Sequence, residues 1–129
     1  VSSLRHGIDL LQQAQVMVIY PEGGIFRDCQ VHRLKPGLAR IALQAEAQAH
    51  NLGIKVIPVS LRYDIPHPCW RSSVEIAFGP PLDVSSYLPT QQKRPLTAEE
   101  LKTTARQLTD DLTVDLTALS DNQNRRVLF

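Results

Sequence analysis

The chain has 129 residues, 43% of them hydrophobic and 21% charged, with a net charge of +1. That is enough for one domain with a real core and too little for two, and it gives no electrostatic case for binding nucleic acid. No run of about eighteen apolar residues and no signal-peptide pattern is present, and two cysteines, Cys29 and Cys69, are too few for a disulfide framework and read as free thiols of a reducing compartment.

In chain order, Leu4, Ile8, Leu11 and Ala14 recur at helical spacing, and Ser2 or Ser3 is placed to cap the start. Residues 15–20 are apolar with little alternation, which predicts a strand buried on both faces of a parallel sheet. A long charged loop, 21–36, opens on Pro21-Glu22-Gly23-Gly24. A second helix is predicted over 37–50, with Leu38, Ile41, Ala42 and Ala45 on its buried face and a C-cap signal at 51–53. Residues 55–61, KVIPVSL, read as another buried strand; Pro58 cannot donate to a ladder and belongs near a strand end or a bulge.

Residues 63–73 read as a loop, 74–78 as a weakly alternating third strand stopped by Gly79-Pro80-Pro81, and 85–95 as a polar connection. Thr97-Ala98-Glu99-Glu100 is a capping box. The helix behind it carries Leu101, Ala105, Leu108, Leu112, Leu116 and Leu119 at steps of three and four, the strongest periodic signal in the chain. This order of elements predicts an α/β protein with a sheet flanked by helices. Three strands are few for such a sheet, so its first strands are expected to be missing from this chain. A first residue Val1 in place of Met is expected of a processed chain or a piece of a longer one. The division predicted is a domain over 1–120 and a tail over 121–129. Charge is uneven: residues 1–71 hold eight Lys/Arg against five Asp/Glu, and 72–129 hold six against eight. This biases the first part mildly toward an anionic ligand.

Four blocks, in order, resemble the glycerolipid acyltransferases, the group that includes lysophosphatidate acyltransferase. Tyr20-Pro21-Glu22-Gly23-Gly24 resembles the family's phenylalanine-proline-glutamate-glycine block. Leu34-Lys35-Pro36-Gly37 resembles the lysine/glycine segment before an alanine-rich helix, Val56-Ile57-Pro58-Val59-Ser60 the last block, and Phe78-Gly79-Pro80-Pro81-Leu82 the strand exit before the C-terminal helix. The resemblance covers about residues 5–119. It implies a partial glycerol-phosphate-acyltransferase-type sheet, as the C-terminal part of the domain. It also implies transfer of a fatty acyl group from acyl-CoA or acyl carrier protein to the hydroxyl of a lysophospholipid or glycerol phosphate.

In that family a histidine and an aspartate separated by four residues take the acceptor's proton. Five positions after His6, His32, His50 and His67 stand Leu11, Gly37, Lys55 and Ser72, and His6 is three residues from Asp9. No catalytic residue is therefore assigned in this chain, and alone it is expected to be inactive. What the resemblance leaves is the phosphate and acceptor side of the site, with Glu22 and Gly23 carried over directly. Gly23 and Gly24 permit positive φ and close approach of backbone N–H groups to an anion. Glu22 cannot bind a phosphate by itself and is suited to hold the loop or to contact a hydroxyl or an arginine. The family block sets threonine and arginine directly after the glycine; here Gly24, Ile25 and Phe26 precede Arg27, which is read as the shifted equivalent. A guanidinium suits bidentate phosphate binding. Lys35 adds charge where a helix start already favours anions.

The blander readings are a plain turn for Pro-Glu-Gly-Gly and solvated cations for Arg27 and Lys35. His32 shares the loop but reads as a surface histidine. Asp64, His67 and Cys69 lack ligand spacing and a fourth partner, so no metal site is assigned. Cys29 has no histidine placed by sequence to activate it. No metal or prosthetic group is required, the acyl thioester being a co-substrate. The expected location is cytoplasmic and peripheral to the membrane, which supplies the acceptor through contacts outside this chain. The fragment is expected to self-associate, through an uncovered sheet edge or the long C-terminal helix. The rival reading is a non-catalytic phospholipid- or protein-binding module derived from the same fold.

Overall fold

The computed structural model describes residues 3–24, 30–49, 52–64, 70–89 and 95–126, with residues 124–126 as backbone only. Leu4, Ile8 and Leu11 give α1 (Ser3–Gln12) one apolar stripe. Gly7 lets that stripe sit close to its neighbours. A Cβ at Gly7 would stand 3.1 Å from Met17 Cε and 3.2 Å from Ile41 Cδ1.

The helix stops at Gln12 and does not include Ala14. Ala14 takes a left-handed φ of 58°, its N–H donates to Leu11 O at 3.0 Å, and the Gln15 N–H donates to Leu10 O at 3.1 Å. This pair of bonds is a Schellman cap, a site that favours glycine.

Residues 15–20 depart from the sequence expectation. They run extended but pair with no strand among the described residues. Their side chains alternate: Met17 and Ile19 pack on the core, whereas Val16, Val18 and Tyr20 are 94%, 79% and 73% exposed. Two-sided burial needs a cover on each face, and this chain supplies one.

The centre of the molecule is α2 (Gly37–Ala49). One side, Ile41 and Ala45, packs on Ile8, Leu4, Leu11, Met17 and Ile19. The other, Ala39, Ala42 and Leu43, joins a second cluster with Val84, Ala105 and Leu108. Ile54 touches both clusters. Near its end Glu46 is buried, and its carboxylate accepts from the Gly53 and Ile54 N–H groups at 3.3 and 2.9 Å. A buried carboxylate is tolerated because two backbone donors face it. Gly53, at φ 68°, takes the left-handed turn that its position predicts.

Four short strands follow: β1 (Lys55–Val56), β2 (Val59–Tyr63), β3 (Val74–Phe78) and β4 (Leu82–Asp83). They form two antiparallel ladders, β1 with β4 and β2 with β3. Pro58 falls between β1 and β2, where it breaks the strand, and its carbonyl accepts from the Gly79 N–H at 2.8 Å. The expectation that proline marks a strand end holds. The fold is α/β in the sense of mixed helices and small sheets. The parallel sheet expected from residues 15–20 and 55–61 does not form among the described residues, where both ladders are antiparallel.

Residues 55–61 also differ in burial. Ile57, Val59 and Leu61 are exposed, and Pro58 is buried. The β2–β3 hairpin turns Ser60 and Arg62 toward the last helix instead.

That helix, α3 (Ala98–Arg126), starts on the capping box. The Thr97 N–H donates to Glu100 Oε2 at 2.9 Å, and the Glu100 N–H donates to Thr97 Oγ1 at 3.2 Å. Ala105 and Leu108 are buried in the core cluster, Leu101 packs against it and Leu112 is also buried. Leu119 lies against Gly79. Most of the stripe is thus packed within the chain. The helix continues through residues 121–126, expected as tail. Gln123 is buried and bonds to both strands of the hairpin: its Oε1 accepts from Ser60 Oγ and its Nε2 donates to Glu75 O at 3.3 Å. The Arg62 guanidinium donates to Gln123 O at 3.0 Å.

Between β4 and α3 lies a 3-10 helix, Val84–Tyr87, capped by Asp83. Bonds from Ser85 and Lys55 hold the Asp83 carboxyl below the usual carboxylate range. Tyr87 donates its phenol to Asp111 of α3. Burial first, then the bond to Asp111 and the nearby carboxylates, pushes the Tyr87 phenol up to about 12.

Two outcomes follow. Ala14→Gly removes a left-handed penalty of about 1 kcal/mol, partly offset by the extra freedom glycine gives the unfolded chain, so a urea midpoint should rise by the equivalent of about 0.5 kcal/mol. The Tyr87 phenol is neutral in the fold where an unfolded one, at about 10, already ionises. The stability it contributes is therefore complete below about pH 10 and is lost as pH rises toward about 12. Ultraviolet titration should show one phenol ionising late, and Tyr87→Phe should abolish that late phase.

Candidate functional site

The candidate site lies where the extended segment ends and α2 begins. Pro21-Glu22-Gly23 makes the turn, with the Gly23 N–H donating to Tyr20 O at 3.2 Å. Gly23 sits at φ 65°, the left-handed region that other residues enter only with strain. The returning chain is tied to this turn by the Lys35 N–H, which donates to Pro21 O at 2.8 Å. The neighbouring Leu34 is buried and anchors the return.

This tie sets the Lys35 side chain over Gly23. The Lys35 Cδ, Cε and Nζ would each lie 2.8 Å from a Cβ at Gly23, so a side chain there would push the lysine tail aside. Two candidates separated by a charged loop thus meet face to face: the glycine turn and the lysine before α2. Glu22 is half-buried in the same turn, and Gly24 and Lys35 are exposed. Arg27 lies outside the described residues, as do Cys29, His67 and Cys69.

The electrostatics favour an anion. The first turn of α2 contains no acidic residue. Unfilled N–H groups and the helix dipole make such an end attractive to negative charge, by about 0.3–1 kcal/mol per interaction. Lys35 precedes that end and Arg40 stands on its first turn, exposed. Arg33 is exposed two residues earlier. Arg33 and Arg40 were not singled out by sequence; the one signal for them is the excess of Lys/Arg in residues 1–71. The arrangement can hold a phosphate or a carboxylate against backbone and ammonium donors.

His6 and Asp9 are exposed on α1, three residues apart. His32 is half-buried in the return of the loop. Asp64, weighed above as a metal ligand, instead accepts from Ser73 through both its N–H and its hydroxyl, at 2.9 and 2.8 Å, closing the end of the hairpin. No helix among the described residues is long and apolar enough to cross a membrane.

The turn, the lysine return and the helix start thus lie together, and comparison with known proteins shows what the chain is similar to. A family model described as Acyltransferase matches residues 1–62. An uncharacterised acyltransferase of Schizosaccharomyces pombe is 31% identical over 74 residues, 57% of this chain and 11% of that protein. Glycerol-3-phosphate O-acyltransferase 1 of Saccharomyces cerevisiae is 30% identical over 79 residues, 61% of this chain and 10% of that protein. No solved structure matches the chain. These matches support a glycerolipid acyltransferase family for the chain, with the family model confined to its first 62 residues. It spans about a tenth of the length of the curated relatives it matches.

Gly23→Ala tests the turn. It forces alanine into a left-handed conformation, at about 1–2 kcal/mol, and drives the Lys35 side chain off the backbone. Chemical denaturation should show that loss. Reductive methylation should show Lys35 more reactive than in the parent protein.

Proposed function

We propose that this chain supplies the acceptor-binding side of a glycerolipid acyltransferase. The reaction moves a fatty acyl group from acyl-CoA or acyl carrier protein to the hydroxyl of a lysophospholipid or glycerol phosphate. The acceptor oxygen forms a bond to the thioester carbonyl carbon, the carbon–sulfur bond breaks, and the thiolate leaves. The acceptor's proton must pass to a base, and the sequence has no histidine–aspartate pair at the family spacing to take it. The base therefore comes from outside these residues, and the chain alone binds without turning over. The small sheets here are read as part of a larger acyltransferase sheet. The acceptor comes from a membrane that the whole protein meets peripherally on its cytoplasmic side.

The observation that carries this reading is the Lys35 side chain laid over the Gly23 turn at the start of α2. In it the acceptor's phosphate sits against Lys35, the Gly23-Gly24 backbone and the α2 start, with Arg27 adding a guanidinium. Glu22 holds the turn or accepts from an acceptor hydroxyl. The absent catalytic pair is also what a non-catalytic phospholipid-binding module would show, so turnover and binding must be measured separately.

Glycerol 3-phosphate binding to the chain, followed by calorimetry or NMR, provides the test. Lys35→Ala should weaken it about tenfold or more, the value of one charged hydrogen bond, roughly 1.5–3 kcal/mol. Glycerol without phosphate should bind no better to the parent than to the variant. Equal affinity of parent and variant for the phosphate ester would refute the phosphate role of Lys35. Turnover of acyl-CoA by the chain alone would refute the assignment of the base to residues outside it.

A further inference from the structure

The β2–β3 hairpin wears its apolar side chains on the outside. Val59, Leu61, Tyr63, Val74, Ile76 and Phe78 share the outer face and are each 39–70% exposed. Single exposed apolar residues are ordinary, but a contiguous block of them marks a surface that something covers. The polar side chains of the hairpin are engaged on the opposite face. Ser60 and Arg62 bond to Gln123 of α3, and Arg62 lies 4.0 Å from Glu75.

The register sets the pattern of that block. Val59 stands opposite Phe78, Leu61 opposite Ile76, and Tyr63 opposite Val74. The two aromatic rings occupy one diagonal and the two valines the other, with leucine and isoleucine in the middle row.

We infer that this face is covered by the same face of a second copy of the chain, in a two-fold dimer of stacked hairpins. A two-fold axis lying between the sheets, either along the strands or across them, sets every ring over a valine and no ring over a ring. Large over small is the arrangement that fills the space between two sheets. The face carries no charge, so the stack buries no unpaired ion, and it offers no cation to a lipid phosphate. Its exposed area is roughly 600 Å² per copy, at the upper end of what a monomer leaves open. Two such faces together bury on the order of 1,200 Å², where stable interfaces begin. This inference uses no observation from the acyl-transfer reading and concerns the 129-residue chain, whose ladders that reading joins to a larger sheet.

Sedimentation of the 129-residue chain from micromolar to near-millimolar concentration tests it. The parent should pass from monomer to dimer and no further. Leu61→Lys and Ile76→Lys each put an unpaired charge in the middle row, and should raise the dissociation constant about a hundredfold or more. Both positions are already about half exposed, so the far-ultraviolet spectrum should not change. Where one lysine variant fails to fold, the other reads the same contact. Val114→Lys, on an exposed part of α3, should leave the dimer intact. A monomer at every concentration, open-ended growth, or a dimer indifferent to both lysines would overturn the inference. So would a monomer that binds vesicles of phosphatidylcholine and phosphatidylglycerol through this face, which would make a lipid surface the occupant.

Discussion

The burial of α2 on two sides is the constraint from which the rest of the arrangement follows. Ala39, Ala42 and Ala45 are small enough for α1 to close on one side and α3 with the 3-10 helix on the other. Leu43 and Ile41 then fill the spaces the alanines leave. Once both sides are packed, α2 has little freedom to slide, and its start becomes a fixed point. Residues 34–36 lead into that point, and the Lys35 N–H reaches Pro21 from it. The geometry of the glycine turn is therefore set by helix packing on the far side of the molecule. Glu46 does the equivalent at the other end, fixing where the chain leaves α2 for β1.

Much of this was legible in the sequence where one residue carries one physical rule. The capping box at Thr97 and Glu100 forms as its spacing predicts, because both bonds are local. Pro58 ends a strand because it lacks a donor, whatever surrounds it. Gly23 and Gly53 take left-handed turns that other residues resist. Ala14 was the opposite case. Its place in the apolar period suggested helix, but the cap needed a left-handed residue there and alanine accepts one at modest cost.

The illegible parts depend on partners that a local pattern does not name. An apolar run at 16–20 signals that both faces can be buried, and only packing decides that one of them is. The same ambiguity governs the hairpin. Alternation in 59–63 and 74–78 separates two faces and is silent about which meets the rest of the chain. Gln123 decides it. Residues 121–126 look polar enough to be a tail, yet a glutamine with a donor and an acceptor can satisfy Ser60 of one strand and the Glu75 carbonyl of the other. A polar contact thus won the inward face, and the apolar residues were left outside. For the candidate site, Glu22, Gly23 and Lys35 could be named from the sequence. That the Lys35 side chain lies on the glycine backbone could not, because eleven residues separate the two in the chain and no local rule links them.

That contact also bears on how an acyl-transfer site can be divided. Holding a phosphate needs donors fixed in space, and on the proposed reading the buried α2 fixes the backbone from which they come. Taking a proton needs a base of suitable pKa at one oxygen of the bound acceptor, which is a separate requirement met by separate residues. Nothing in the first requirement depends on the second. On the proposed reading, the two can reside on different stretches of a protein and meet only when the acceptor spans them. The rigid, locally determined half is the one that a short chain can build alone. The half that needs an aligned histidine and carboxylate depends on the exact placement of two further side chains.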